Sequence, residues 1–293
     1  MIPELEIIKP FSLEEAVDFL NDHPAEARII AGGTDIIPGL MQGSKRFTGI
    51  KYLVDLQQID ELKEIIADSE NITIGALLTF SQMINNDSLK NNFPLLVKSA
   101  STVGSVQIRN RATVAGNFIN NAPCADSVPP LLVYNAKIKL LGVNGNYEMP
   151  LSDFLIKPYF TRLKTGEIVT QIILPKPKKE FIGDFYKLGR RRGVAISRIT
   201  LAALIQIEDN KLGEIRLASG AVSPIGMRFF DLEQKYSGSV ISDKLLKNIS
   251  SDLGKEILKV TGLRWSSEYK VPVTQQAMYL LLERICSAHK QVK

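Results

Sequence analysis

The sequence has few of the side chains that bind metals or form disulfides. Its 293 residues contain two cysteines, Cys124 and Cys286, and two histidines, His23 and His289. An iron–sulfur cluster or a structural zinc site takes about four such ligands, and these are grouped at short spacings. The chain is therefore predicted to bind no metal. Its two distant cysteines are predicted to be free thiols of a reducing compartment.

Long apolar runs and strong charge clusters are also missing. No apolar run approaches the length of a membrane span, and the opening MIPELEIIKP contains acidic residues and lacks the apolar core of a signal peptide. The net charge is +5, but the basic runs Lys176–Lys179 and Arg190–Arg192 are short and isolated. These absences predict a cytoplasmic protein with no membrane span and no nucleic-acid interface.

Two stretches are rich in small and hydrogen-bonding residues. Arg28–Ile36 reads RIIAGGTDI, and Ser101–Pro130 reads STVGSVQIRNRATVAGNFINNAPCADSVPP. Backbone amides, hydroxyls and side-chain amides with little bulk around them suit the oxygens of a phosphate. Neither stretch has the spacing of a Rossmann fingerprint or a P-loop. A Gly-Gly pair alone is more often only a turn, but the two stretches together favour a ligand with a pyrophosphate and two ends.

The apolar pattern before residue 176 predicts an α+β arrangement. Ser12 and Glu15 form a capping box that opens a helix, and the strand Ala27–Ala31 leads into the Gly32-Gly33 turn. The other predicted strands are Lys51–Leu56, Leu62–Ala67, Asn71–Ala76, Ala136–Val143, Asn146–Pro150 and Glu167–Leu174, and further helices are predicted after Thr79, near Pro94 and after Asp126 or Ser127.

A linker and a second domain are predicted beyond this point. Pro175–Glu180 reads PKPKKE, which can neither pack nor continue a sheet. The predicted elements that follow are the strands Phe181–Leu188, Ile199–Ile207 and Gly213–Val222 and the helices Ser242–Val260 and Thr274–Ala288. They favour a three-stranded antiparallel sheet covered by helices on one face.

The motifs of the two glycine-containing stretches also carry a family resemblance. AGGTD, TVGS, QIRNRATVAGN and APCADS resemble, in this order, the FAD-binding medium subunit of the molybdenum hydroxylases. That family includes xanthine dehydrogenase, carbon monoxide dehydrogenase and aldehyde or nicotinate oxidoreductases. With RWSSEYK near the C-terminus, the motifs look most like the bacterial xanthine dehydrogenase FAD subunit and the carbon monoxide dehydrogenase medium subunit.

The resemblance implies a fold and a domain division. The fold is α+β, with a vanillyl-alcohol-oxidase (PCMH) type FAD-binding domain of two lobes and a C-terminal domain. The FAD-binding domain is expected at 1–176, with lobes of about 1–57 and 58–176. The C-terminal domain, resembling that of carbon monoxide dehydrogenase flavoproteins, is expected at 177–293.

The resemblance also implies which residues contact FAD. They come from the two loops, from the strand at 168–169 and from Lys187. The expected contacts are Ile29, Ile30, Ala31, Gly32, Gly33, Thr34, Asp35, Val103, Gly104, Ala112, Thr113, Gly116, Asn117, Asn120, Asp126, Ile168, Val169 and Lys187. Ser105 and Ala115 stand where many members have glycine. Flavin binding survives these changes if φ is negative at both positions, and the affinity is expected to be lower.

Several of these roles have a simpler alternative. Asp126 matches a carboxylate that binds the adenosine ribose, but a helix N-cap is equally expected there. The apolar pair Ile168 and Val169 could be strand core alone. Lys187 could approach the flavin, where a cation would stabilise the reduced ring, or could lie on the solvent face of its strand. Cys124 is expected to be a buried apolar thiol more often than a flavin attachment or redox group.

The implied function is electron transfer within a larger enzyme. No nucleophile with its base is present, so no catalytic residue is predicted, and the chemistry would be that of FAD. A molybdopterin large subunit would hydroxylate the substrate, an iron–sulfur small subunit with 2Fe–2S clusters would pass the electrons on, and NAD is expected as acceptor. The family favours a dimer of heterotrimers. The basic loop Arg190–Arg192 could attract nicotinamide phosphates or meet an acidic partner.

Two rival interpretations stay open from the sequence. A free-standing FAD oxidoreductase of this fold would need an acid or base over the flavin. A flavin-free scaffold would only recruit the partner subunits, and the presence of Thr34, Asn117 and Asp126 argues against it.

Overall fold

Two compact units make up the chain in its computed structural model, which describes residues 4–191 and 193–292 and side chains as far as His289. The first unit combines the described part of Met1–Lys90 with Val103–Asn121 and Ala136–Pro175; the second combines Asn91–Thr102 and Ala122–Asn135 with the described part of Lys176–Lys293. Both units are therefore built from separated pieces of sequence. The domain boundary at residue 176 stays a prediction.

A small parallel sheet begins the first unit. Its strands are β1 (Glu6–Ile8), β2 (Ala27–Ile30) and β3 (Tyr52–Asp55), in the order β1-β3-β2. Helix α1 (Leu13–Asp22) connects β1 to β2, because two parallel strands of one sheet need a crossover connection. Half of the predicted capping box is present: the Ser12 hydroxyl accepts from the Glu15 amide, but the Glu15 carboxylate accepts from the Phe11 amide and not from that of Ser12. The sheet therefore places the residues after β2 at its carboxyl edge.

An antiparallel sheet of five strands forms the rest of this unit's framework. The strands are β4 (Ile65–Ala67), β5 (Asn71–Gly75), β6 (Lys137–Gly142), β7 (Gly145–Pro150) and β10 (Ile168–Pro175), in the order β4-β5-β10-β6-β7. In the middle strand Ile172 pairs with Ile74 on one side and Ile138 on the other, and all three are fully buried. Alternating apolar residues thus give the unit its core and fix the position of Ile168 and Val169.

Short helices and one small hairpin make up the rest of the chain before the linker, and two of these helices, Pro94–Ser101 and Val128–Val133, belong to the second unit. The remaining elements before the linker are α2 (Ile36–Met41), α3 (Phe80–Asn85), α4 (Asp87–Asn92), α5 (Pro94–Ser101), α6 (Val106–Arg109), α7 (Val114–Asn120), α8 (Val128–Val133), α9 (Leu151–Phe154), β8 (Leu155–Lys157) and β9 (Phe160–Thr161). Ser127 is the N-cap residue of α8, and its side chain makes no capping bond. Asp126 is therefore not the helix cap that was one of its two expected roles.

The second unit contains the predicted C-terminal sheet. Its strands are β11 (Ile182–Gly189), β12 (Ser197–Glu208), β13 (Lys211–Gly220) and β14 (Met227–Arg228), in that order and antiparallel. The three predicted strands are present, and the two-residue strand β14 adds a fourth. Helices α10 (Phe230–Tyr236), α11 (Asp243–Thr261) and α12 (Ser267–Val292) follow. Their apolar faces pack on one face of the sheet.

Two details of this unit differ from the prediction. Helices are not confined to one face, because α8 also packs on the sheet; a side chain at Gly220 would meet Pro129 at 3.0 Å. The last helix begins at Ser267 and not near Thr274, and it contains Pro272 six residues in. Pro272 lacks the N–H that would donate to the Glu268 carbonyl, yet the helix continues through it.

Candidate functional site

The first glycine-containing loop follows β2 directly. Gly33 has φ of +75°, a conformation that favours glycine. Within the described residues, the backbone N–H groups of Gly32, Gly33 and Thr34 donate no hydrogen bond to a protein acceptor. The loop is partly accessible, so these amides remain available to an external anion.

The second loop lies directly against the first. A Cβ atom added to Gly32 would lie 2.0 Å from the carbonyl oxygen of Arg111. Two backbone hydrogen bonds of antiparallel type hold the second loop in place: the Phe80 amide donates to the Ala112 carbonyl at 3.1 Å, and the Val114 amide donates to the Leu78 carbonyl at 3.0 Å. The absence of a side chain at Gly32 is therefore what allows the two predicted stretches to meet.

Helix α7 then continues the second loop. Its N-cap is Thr113, whose hydroxyl accepts from the Gly116 amide at 3.1 Å. Ser105, at the start of the preceding helix, has φ of −92°, and Ala115 is not among the positive-φ residues. Both replacements of a family glycine thus occupy backbone that any residue adopts. The condition stated for flavin binding, a negative φ at Ser105 and Ala115, is therefore met.

The two loops line one cavity of about 540 Å³, within the usual size range of ligand sites. Thirteen of the predicted contacts border it: Ile29, Ala31, Gly32, Gly33, Thr34, Asp35, Ala112, Thr113, Gly116, Asn117, Asn120, Ile168 and Val169. Ile30, Val103 and Gly104 lie in the same unit but do not line the cavity. The Arg109 side chain donates instead to the Val103 and Gly104 carbonyls.

Three polar side chains that line this cavity are joined by hydrogen bonds. The Asn120 side chain donates to Asp35 at 2.9 Å and accepts from the Arg46 guanidinium at 2.6 Å. The same guanidinium lies 4.3 Å from the centre of the Tyr159 ring. Neighbouring atoms that exclude water raise the pKa of Asp35, and the charge of Arg46 opposes that shift. These bonds place the Arg46 cation beside two of the predicted contacts, Asp35 and Asn120.

A third wall was not predicted from the sequence. Asn121, left-handed at the end of α7, donates to the carbonyls of Lys157 and Phe160, and its own carbonyl accepts from the Tyr159 amide at 2.9 Å. These bonds fix Tyr159 at the cavity. The rest of this wall comes from Leu163, Lys164, Thr165, Gly166 and Glu167.

The last two predicted contacts form a pair in the second unit. Lys187 Nζ lies 2.6 Å from Asp126 and 2.7 Å from the Thr102 carbonyl oxygen. The Ser197 hydroxyl also donates to Asp126. The side chains of Lys187 and Asp126 are 11% and 6% exposed, so Lys187 is not on a solvent face. Burial raises the pKa of Asp126, and the Lys187 charge opposes that shift.

The remaining candidate positions have simpler surroundings. Neither cysteine is in a disulfide, and Cys124 is half-buried while Cys286 is buried. In the basic loop Arg191 donates to the Val194 carbonyl, and Arg192 lies outside the described residues. In the described ranges no group of three or more His, Cys, Asp or Glu side chains could bind a metal ion. No described helix is long and apolar enough to cross a membrane.

The donor set of the cavity fits the phosphates of a dinucleotide. Three amides without protein acceptors lie beside the Thr113 hydroxyl and the side-chain amides of Asn117 and Asn120. Arg46 supplies a cation with several donors, and cations of this kind bind phosphate oxygens strongly. The residues present therefore suit FAD, as the resemblance implied.

Comparisons with known proteins agree with this geometry. A family model described as the FAD binding domain in molybdopterin dehydrogenase matches residues 3–177, and one described as the CO dehydrogenase flavoprotein C-terminal domain matches residues 184–285. The xanthine dehydrogenase FAD-binding subunit of Escherichia coli O157:H7 is 30% identical over 266 residues, covering 90% of each chain. The glyceraldehyde dehydrogenase medium chain of Sulfolobus acidocaldarius is 30% identical over 273 residues, covering 93% of this chain and 95% of the relative.

Solved structures share the fold. Carbon monoxide dehydrogenase from Hydrogenophaga pseudoflava has a TM-score of 0.91 at 23% identity, covering 98% of this chain and 99% of that one. Quinoline 2-oxidoreductase from Pseudomonas putida 86 has a TM-score of 0.88 at 22% identity, covering 98% and 99%. The predicted α+β fold, with a FAD-binding domain and a C-terminal domain, is confirmed. The chain belongs to the FAD-binding subunits of the molybdenum hydroxylase family, and it is a subunit of an oxidoreductase.

Proposed function

We propose that this chain binds FAD in the cavity between its two glycine-containing loops and transfers electrons through it. The electrons would come from an iron–sulfur small subunit and leave to NAD+ or another acceptor. The observation that carries the proposal is the row of amides at Gly32, Gly33 and Thr34 without protein acceptors, directly beside Thr113 and Asn117.

The chain's residues would bind and orient the cofactor. The amides after β2 would donate to the pyrophosphate, as unpartnered backbone donors do at anion sites. Ile168 and Val169, held by the middle strand β10, would bound the apolar side of the ligand. Bound FAD would supply the electron-transfer chemistry. No described side chain lining the cavity is a histidine or cysteine, which fits a site whose reactivity belongs to its cofactor.

The partner subunits belong to the same proposal. A large subunit would carry molybdopterin and hydroxylate the substrate, and the assembly would be a dimer of heterotrimers. Two relatives are named as an FAD-binding subunit and a medium chain, which supports partners for this chain also. A cytoplasmic location remains a prediction from the sequence, as do the roles of Asp126 and Lys187 toward the flavin.

A visible absorption spectrum of the purified chain tests the proposal. We expect flavin bands in the chain expressed alone, or after reconstitution with FAD, and we expect anaerobic NADH to bleach them. Bands that NADH does not bleach would keep the FAD site and remove NAD as the acceptor at this subunit. A chain that stays colourless after reconstitution would contradict flavin binding and favour the scaffold alternative.

Replacing Arg46 tests the hydrogen-bonded side chains that line the cavity. In Arg46→Gln the cation is lost, and a charge-assisted hydrogen bond to phosphate contributes about 1.5–3 kcal/mol. We therefore expect the FAD dissociation constant to rise about 10- to 100-fold in a flavin fluorescence titration of the apoprotein. Arg162→Gln is the matched control, because Arg162 is exposed and does not line the cavity. Equal affinities in the two variants would remove Arg46 from the phosphate site.

A further inference from the structure

A bulky side chain occupies a turn position that favours glycine. Strands β8 and β9 pair at Lys157 and Phe160, so Pro158 and Tyr159 form the turn between them. Tyr159 has φ of +59°. Proline followed by a residue of positive φ is typical of a turn whose second central position takes glycine or asparagine. A tyrosine with this φ is an outlier, and such outliers cluster at ligand and active sites.

One buried residue holds this turn in its strained conformation. The Asn121 side chain donates to the Lys157 carbonyl at 2.9 Å and to the Phe160 carbonyl at 3.0 Å, one on each side of the turn. The Asn121 carbonyl accepts from the Tyr159 amide at 2.9 Å. Three hydrogen bonds therefore offset the cost of tyrosine at this position and fix the backbone from which its ring extends.

The Tyr159 ring lines the cavity and keeps part of its surface free. The residue is 49% exposed, and the Arg46 guanidinium lies 4.3 Å from the ring centre. Within the described residues no aromatic ring stacks on Tyr159. Phe47, the other aromatic residue among those that line the cavity, packs against the apolar cluster of Leu40 and Ile50. Tyr159 is therefore the ring at this cavity that a ligand can use.

We propose that Tyr159 stacks on the adenine ring of FAD, so that the cavity selects an adenine dinucleotide over FMN. This inference rests on the proposed function, because it takes FAD as the ligand. An aromatic side chain stacks on any nucleobase, since every base has a flat π-face. None of the contacts expected from the sequence has an aromatic ring, so Tyr159 adds a kind of contact that the two glycine-containing loops do not provide.

The choice of adenine follows from the position of the cavity. Every described residue that lines it belongs to the first unit, and Tyr159 forms the third wall together with residues 163–169. A ring placed against this wall lies among residues of the chain itself. The isoalloxazine must exchange electrons with other molecules, whereas adenine takes no part in the transfer and contributes only to binding. The end of the dinucleotide at this wall is therefore the adenine end.

Tyr159→Asn removes the ring and preserves the turn, because asparagine tolerates positive φ better than tyrosine does. Calorimetric titration of the full-length apoprotein with FAD and with ADP measures both affinities. ADP contains the adenine and the pyrophosphate but no isoalloxazine. We expect both dissociation constants to rise by the same factor, about 10- to 100-fold, which is the size found when a side chain that stacks on a base is removed.

The stability of the variant distinguishes a ligand contact from a structural role. Since asparagine relieves the strain of the turn, the urea midpoint of Tyr159→Asn should equal or exceed that of the unmodified apoprotein. Tyr159→Phe keeps the ring and should keep both affinities. Phe160→Ala is the matched control, because Phe160 lies in the same hairpin, is 54% exposed and does not line the cavity. It should also bind FAD and ADP normally.

Three results would overturn the inference. Unchanged FAD affinity in Tyr159→Asn would remove the contact, and weaker FAD binding with unchanged ADP binding would place Tyr159 on the isoalloxazine. A lower urea midpoint together with weaker binding would make the residue structural. If the unmodified chain binds no FAD, the proposed function fails as well. Equal FAD binding by the unmodified chain and Tyr159→Asn overturns this inference alone.

Discussion

Gly32→Ala is expected to lose flavin binding almost completely while the chain still folds. The added methyl group would lie 2.0 Å from the Arg111 carbonyl oxygen, so the two loops must move apart. Both contribute donors to the same cavity, and two lost charge-assisted hydrogen bonds weaken binding by about 3 kcal/mol or more. We expect the FAD dissociation constant to rise at least about 100-fold in a fluorescence titration of the apoprotein.

The stability of the same variant should fall only modestly. Overpacking at one position typically costs about 1–3 kcal/mol, which urea unfolding of the apoprotein can measure. Gly43→Ala is the matched control: its φ of +64° makes alanine unfavourable, yet nothing lies within 4 Å of the added carbon. This control should lose about 1 kcal/mol of stability and keep its affinity for FAD. Gly32→Ala with normal affinity would show that the contact between the loops is not needed for the site.

Most of the predicted contacts that line the cavity lie in segments whose local structure can be predicted from the sequence. These segments are a glycine-containing loop, the strand Ala27–Ala31 and the N-cap Thr113. Rules on glycine, helix capping and apolar residue patterns describe them from the local sequence. The middle strand β10 was also visible as an apolar run. Local rules therefore point to the two glycine-containing loops, while residues 168–169 were assigned to the same site only by the family resemblance.

The residues that sequence reasoning missed depend on distant pairings. Arg46 lies in the short 3-10 helix Lys45–Phe47, and its bond to Asn120, 74 positions away, holds it at the cavity. Tyr159 is placed by the side chain and carbonyl of Asn121, and a left-handed asparagine after a helix reads as a simple C-cap in the sequence. The Asn-Asn pair at 120–121 was the available signal: one residue faces the cavity and the other fixes its third wall.

The surroundings of Asp126 in the second unit also depend on residues distant in the sequence, so they could not be predicted from it. A carboxylate before two prolines suggests a helix cap, and only the fold shows Lys187 and Ser197 beside it. The pairing joins the segment Ala122–Asn135 to strands β11 and β12 of the same unit. This explains why a short piece of the predicted FAD-binding domain belongs to the compact unit that contains the C-terminal sheet.

Lys187→Met is expected to destabilise the apoprotein by about 3–5 kcal/mol at pH 8, because it leaves the Asp126 carboxylate buried without a counter-charge. Urea unfolding measures the difference from the unmodified chain. The double variant Lys187→Met/Asp126→Leu should recover much of the loss, since apolar residues can replace a buried ion pair at little cost. Recovery would be incomplete, because Ser197 and the Thr102 carbonyl lose their partners.

The pH dependence of this loss identifies its cause. Burial already raises the pKa of Asp126 in the folded chain, and removing Lys187 takes away the charge that opposes the shift. A carboxyl whose folded pKa lies above its unfolded value takes up a proton on folding between the two values. Its penalty is therefore absent below the ordinary value of 3.8, grows as the pH rises from there to the folded pKa, and is constant above it. The deficit of Lys187→Met should therefore be smaller at pH 5 than at pH 8. In Lys187→Met/Asp126→Asn this pH-dependent part should vanish, because no ionisable group remains at the pair. An equal deficit at both pH values in the single variant would mean that lost packing, and not the unpaired carboxylate, destabilises the unit.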